Sequence, residues 1–230
     1  MSTRARILVI EDEAPIRQGL LDLLAFHGYQ PTGVADGDAG LAQALTGEFD
    51  LLLVDVMLPG TDGFTICRNV REALPGQAIC LLTARGGESD VLEGFSAGCD
   101  DYISKPFSVS QLIARVQALL RRVSVQGAPD LRAGAVVIDV RALRAECAGR
   151  AVDLSPRDVE IVDLLATARP SVVSREVLLK EIWGFRRVDA VETRCVDMHM
   201  VKLRRKLGKV VDDSIIETVR GAGYRLAEPA

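Results

Sequence analysis

Five residues in the first half of the chain could together carry phosphoryl chemistry: Glu11, Asp12, Asp55, Thr83 and Lys105. They lie just beyond the short stretches Ile7 to Ile10, Leu51 to Val54, Ala78 to Leu82 and Asp101 to Ser104. If those stretches are neighbouring parallel strands, the five side chains meet at the carboxyl edge of one sheet, where open α/β sheets bind ligands. Three crowded carboxylates repel one another, and a hard cation such as Mg²⁺ relieves that repulsion through oxygen ligands. The cation also neutralises charge on an incoming phosphoryl group. Lys105 can pair with a phosphate oxygen, and Thr83 can donate a hydroxyl hydrogen bond to it. Asp55 is the natural nucleophile for an acyl phosphate. A lone carboxylate at a strand end is usually just a solvated charge; the shared destination of the five gives them weight.

A second constellation lies toward the C-terminus. With Val196 facing a core, a period of about 3.6 residues puts Met200, Leu203 and Leu207 on the same side. The opposite stripe is Arg194, Met198, Val201 and Arg205, with Lys202 beside it. An apolar inner face and a cationic outer face suit the major groove of double-stranded DNA; the bland alternative is a solvated basic face. Thr218, Arg220 and Tyr224 flank the tip Gly221-Ala222-Gly223 and suit phosphates or the minor groove. Val201 cannot hold a phosphate, but it can touch a thymine methyl.

These residues need two different scaffolds. In the first half, continuous apolar runs predict strands buried on both faces. Amphipathic stretches at Pro15–His27, Gly63–Ala73, Ser89–Ala97 and Ser108–Arg122 predict the intervening helices. Alternating strands and helices predict a doubly wound, five-stranded parallel sheet over residues 1–123. Residues 124–130 are small and turn-rich and read as a short linker. In residues 131–230, apolar segments near Ala135–Ile138, Leu143–Cys147 and Ala151–Leu154 read as a small antiparallel sheet. Helices follow from Ser155-Pro156, a capping hydroxyl then proline, from Ser174, and from Val191 to Leu207 ahead of Gly208. A terminal hairpin completes an α+β winged helix.

The composition allows ordinary buried cores, with 48% hydrophobic residues. No run of 18 or more apolar residues exists, so a membrane span is not expected. The short N-terminal apolar stretch meets Glu11, Asp12 and Glu13 at once, which argues against a signal peptide. The five cysteines are scattered without a Cys-x-x-Cys pair, so a cytoplasmic location is expected. The net charge of −4 hides an asymmetry. Up to Val123, 10 Lys and Arg face 16 Asp and Glu; beyond it, 18 face 16. A local basic patch matters more for binding phosphates than the total.

The motifs carry a resemblance. Ile7 to Asp12, Val54 to Gly63, Leu81 to Ala84 and Asp100 to Phe107 look like a response-regulator receiver domain. Leu154 to Arg157, Val173 to Leu178, Ile182 to Gly184, Val196 to His199, Leu203 to Gly208 and Ile216 to Leu226 look like the OmpR/PhoB-type output domain. The resemblance covers nearly the whole chain. It implies a two-component transcriptional regulator, not an enzyme beyond the phospho-chemistry of Asp55 itself. Asp55 is then the phosphoacceptor, supplied by a sensor histidine kinase. Mg²⁺ is held by Glu11, Asp12, Asp55 and the Met57 carbonyl, and the Lys105-Pro106 bond is cis. Thr83 and Tyr102 form a switch pair. Arg194, His199, Lys202 and Arg204 contact promoter DNA from the recognition helix, and Thr218, Arg220 and Tyr224 from the wing. His199 is open to a second role in helix packing. The resemblance leaves room for RNA polymerase as a further partner.

Two departures stand out. The family commonly has a basic residue at Val201. Active receivers of the family form homodimers through a face around residues 88–122, where charged pairs link the copies. This chain has Val91, Ser96, Gln111 and Gln117 where charges are often found. Asp101 and Arg115 can still make one bridge, either between copies or within one chain.

Overall fold

The computed structural model describes residues 4–83, 93–94, 97–120, 130–184, 190–212 and 214–227, with side chains undescribed at 190–194. The chain divides into two compact units, Met1–Leu120 and Arg121–Ala230. The expected linker lies outside the described residues except for Asp130, as do most of the expected helix at 89–97 and the positions Val91 and Ser96.

The first unit is built on five parallel strands: β1 (Arg6–Ile10), β2 (Gln30–Val34), β3 (Leu51–Asp55), β4 (Ala78–Thr83) and β5 (Asp101–Ser104). Their order is β2-β1-β3-β4-β5. Described helices are α1 (Ala14–Phe26), α2 (Gly37–Ala44), α3 (Gly63–Ala73) and α4 (Val109–Leu120). β1, β3 and β4 are the central strands, and their apolar residues are sealed: Ile7, Val9, Leu51, Leu53, Cys80 and Leu82 are fully buried. They pack with Leu20, Leu24, Leu112 and Val116 from α1 and α4. Leu51–Val54, expected as a buried strand, lies within β3. β2 escaped notice because Pro31 and Gly33 interrupt any apolar run. Proline removes a ladder donor and is tolerated on an edge strand, which is the position β2 holds.

The second unit opens on an antiparallel sheet of β6 (Leu131–Ala133), β7 (Val136–Asp139), β8 (Arg144–Cys147) and β9 (Arg150–Asp153). β6 was not anticipated; at three residues it is too short to show a period. Helices α5 (Pro156–Thr167), α6 (Arg175–Trp183) and α7 (Ala190–Leu207) follow, then the hairpin β10 (Ile216–Val219) and β11 (Gly223–Leu226). This is the expected winged helix. α5 starts at a reciprocal capping box between Ser155 and Asp158, which satisfies two backbone donors at once. The inner face of α7 is Val196, Met200, Leu203 and Leu207, all buried, as the period requires.

α7 is tied to α5 by charge as well as by packing. Asp158 is fully buried. His199 Nε2 lies 2.9 Å from its Oδ1, and Lys206 pairs with Oδ2. The backbone N–H of Ser155 donates to the same Oδ2 at 2.8 Å. Burial alone would raise this carboxyl, but the charge of Lys206, with His199 and Lys202, overrides it and holds the group well below the usual carboxylate range. The His199 ring also meets Trp183 edge-on at 5.8 Å.

Candidate functional site

The carboxyl edge of the first sheet brings four of the predicted groups together. Lys105 Nζ bridges Asp55 Oδ2 and Glu11 Oε2, each at 2.7 Å. Glu11, Asp12 and Asp55 each place an oxygen within 4.8 Å of the others. Thr83 ends β4, buried, and its carbonyl accepts from the Lys105 backbone N–H at 2.7 Å. Tyr102 is buried on β5 opposite Leu81. The Lys105-Pro106 bond is cis.

The backbone around Asp55 is held from several sides. Met57 N–H donates to Asp55 Oδ1 at 3.3 Å, and Val56 N–H donates to the Leu82 carbonyl. The first residue of α3 is Gly63, and a Cβ there would stand 2.2 Å from the Asp55 carbonyl oxygen. Only glycine permits that approach. Arg17 was missed by the sequence reading. Its Nη1 donates to the carbonyls of Glu11 at 2.6 Å and Asp12 at 3.0 Å, so the first turn of α1 orders the acidic loop. A basic residue one helical turn after an acidic pair is too common to have flagged it.

Burial pushes the Glu11 carboxyl up; the hydrogen bond from Lys105 opposes this and the charge of Asp55 adds to it. Burial opposes the charge of Lys105, yet its bonds to Asp55 and Glu11 prevail and raise it. Glu11 Oε1 is buried without a hydrogen-bond partner. A buried, unpaired carboxylate oxygen is costly. The donor set is hard oxygen throughout, so these residues fit a Mg²⁺ ion.

The second constellation is only partly as expected. Val201 is 59% exposed. Arg205, Thr218 and Arg220 are exposed, and Met198 and Lys202 are half-buried. Met198, Val201 and Arg205 share the outer side of α7, and Thr218 and Arg220 belong to the wing, while Lys202 is near enough to Asp158 for its charge to act there. The Arg194 side chain is outside the described residues. Three of the expected residues have partners inside the fold. His199 is fully buried against Asp158 and Trp183, the helix-packing role of the two open to it. Tyr224 is 3% exposed and its hydroxyl donates to Asp197. Arg204 Nε and Nη2 donate to the Ile216 carbonyl, and Nη2 also to the Thr218 hydroxyl. A helical period locates a stripe but not which polar members of it are consumed internally. Of the two bridges open to Asp101 and Arg115, the structure shows the one within the chain: Arg115 Nη1 pairs with Asp101 Oδ1, both buried.

A doubly wound unit with this acidic edge, followed by a winged helix, defines a response regulator: a phosphorylation-dependent transcriptional regulator. The response regulator receiver domain model matches residues 7–117, and the C-terminal transcriptional regulatory protein model matches 149–226. The chain belongs to the OmpR/PhoB-type response regulators. It is 38% identical to the transcriptional regulatory protein ResD of Bacillus subtilis, over 97% of this chain and 96% of that one. It is 37% identical to the DNA-binding response regulator MtrA of Mycolicibacterium smegmatis, over 98% of each. Among solved structures, a RitR mutant matches 97% of this chain and 99% of its own, at TM-score 0.74 and 27% identity. DrrB, a Thermotoga maritima OmpR/PhoB homolog, matches 98% and 100% at TM-score 0.53 and 29% identity. Among the described residues, no helix is long and apolar enough to cross a membrane.

Proposed function

We propose that Asp55 accepts the phosphoryl group and that this event controls promoter binding by the winged helix. The single observation that carries the reading is the Lys105 bridge between Asp55 and Glu11 beside an unpaired, buried Glu11 oxygen. An Asp55 oxygen attacks the donor phosphorus, forming the acyl phosphate as the bond to the kinase histidine breaks. Lys105, already within hydrogen-bond distance of Asp55, can turn to a phosphoryl oxygen. Glu11, Asp12, Asp55 and the Met57 carbonyl would hold Mg²⁺, which supplies charge neutralisation at the phosphoryl group. Thr83 and Tyr102 are the groups that would sense the new charge.

The proposed DNA-facing set is Met198, Val201, Lys202, Arg205, Thr218 and Arg220, with Arg194 joining it on helical register. A sensor histidine kinase, promoter DNA and RNA polymerase are the proposed partners. A phosphorylated homodimer, through the face that carries Asp101 and Arg115, is part of the reading. Domain limits of 1–123 and 131–230 are proposed with it, in the cytoplasm. The test is labelling by a small acyl-phosphate donor. The wild-type chain takes up one phosphoryl group only with Mg²⁺ present, and Asp55→Ala takes up none; undiminished labelling of the variant removes the assignment.

A further inference from the structure

We propose that Tyr224, Asp197, Arg175 and Arg204 form a clamp that sets the wing against the recognition helix and so acts on DNA binding by positioning. The inference rests on the reading of the second unit as a DNA-binding winged helix. Three elements meet on one aromatic ring. From the wing, Tyr224 donates its hydroxyl to Asp197 Oδ1 on α7. From the start of α6, Arg175 Nε donates to the same oxygen at 2.7 Å, and its Nη2 lies 3.4 Å from the Tyr224 hydroxyl. The guanidiniums of Arg175 and Arg204 lie 4.9 and 5.6 Å from the ring centre, within reach of a cation–π attraction. Arg204 then forks to the Ile216 carbonyl at 2.9 and 2.8 Å and to the Thr218 hydroxyl at 2.8 Å, so α7 also holds the first strand of the wing.

The backbone is fastened at the same place. Tyr224 and Val173 exchange both N–H to carbonyl bonds, at 2.8 and 2.9 Å. A Cβ on Gly223 would stand 2.0 Å from the Val173 carbonyl oxygen. The wing is thereby fastened to the chain just before α6.

The charges make the assignment specific. A carboxylate on a recognition helix opposes binding to phosphates through the field alone. Asp197 is retained there with its Oδ1 occupied by two internal donors. Burial and then the Asp197 hydrogen bond push the Tyr224 hydroxyl up to about 12, so it stays a donor to that carboxylate. The arginines that could have met phosphates are held by the ring, the carboxylate and the wing backbone.

The experiment uses the full chain and a duplex selected by the wild-type protein from a random-sequence pool. Tyr224→Phe, Asp197→Asn and the double variant are compared while folded, with Arg220→Ala as a contact control. A lost hydrogen bond to a charged group converts to about a tenfold change. Each single variant should weaken binding by about tenfold, more on the selected duplex than on a scrambled one. The double variant should weaken it no further than the stronger single. Without DNA, amide exchange at Val173 and Tyr224 should quicken in all three. Tighter binding by Asp197→Asn, additive losses in the double variant, equal losses on both duplexes, or unchanged exchange overturns the clamp. If no duplex is selected, the DNA reading fails, and the exchange measurement still decides whether the three elements are clamped.

Discussion

Glu11 and Asp158 are both fully buried carboxylates bonded to a lysine, yet they are shifted in opposite directions. At Glu11, burial and a second carboxylate outweigh one shared lysine. At Asp158, Lys206 and His199 outweigh complete burial. Glu11 shares its lysine with Asp55 and keeps one buried oxygen without a hydrogen-bond partner, at an edge whose oxygen donors fit a cation. A carboxylate supplied with all its partners inside the fold is a fastening. Residue type does not separate the two; the balance of neighbouring charge does.

The strongest way to break this comparison is Asp158→Ala. Removing one partner from a buried pair costs about 3–5 kcal/mol because the other charge is left behind. Hydrogen exchange should place the loss in α5 and α7, with the first unit unchanged; a loss under about 1 kcal/mol would mean the cluster is not a fastening. The sign of the pH dependence sharpens it. Asp158 has a folded value depressed below its ordinary 3.8. Its contribution to stability is therefore fully present above that value and is lost as pH falls below it, through the folded value. Asp158→Asn should remove this acid-side slope from the melting of the second unit.

The smallest effect is expected at Val201. Val201→Arg adds one cation to the exposed face of α7, which should steepen the dependence of log affinity on log salt by about one unit or slightly less. An unchanged slope would take Val201 off the DNA-facing side.

The two regions also differed in how far the sequence could be read. The first unit was legible because its groups sit one step beyond apolar runs, and strand ends in a parallel sheet share an edge. That logic located Glu11, Asp12, Asp55 and Lys105, but not Arg17, whose role depends on backbone carbonyls. It missed β2 because an edge strand carrying Pro31 need not be apolar. In the second unit the inner face of α7 followed from periodicity alone. The fates of His199, Arg204 and Tyr224 did not, because each is decided by partners distant in sequence: Asp158, Ile216 and Asp197. Asp101 and Arg115 repeat the point, since spacing allows a bridge between copies as readily as one within the chain.

The central claim is that charge placed on Asp55 controls the winged helix. The direct measurement is affinity for a selected genomic fragment, with and without a small acyl-phosphate donor and Mg²⁺, for the wild-type chain and Asp55→Asn. The account predicts that the donor changes wild-type affinity several-fold or more and leaves the variant unmoved, since a coupling of about 1–3 kcal/mol is typical between linked sites. An equal response in both, or none in a wild-type chain shown to be labelled, contradicts it.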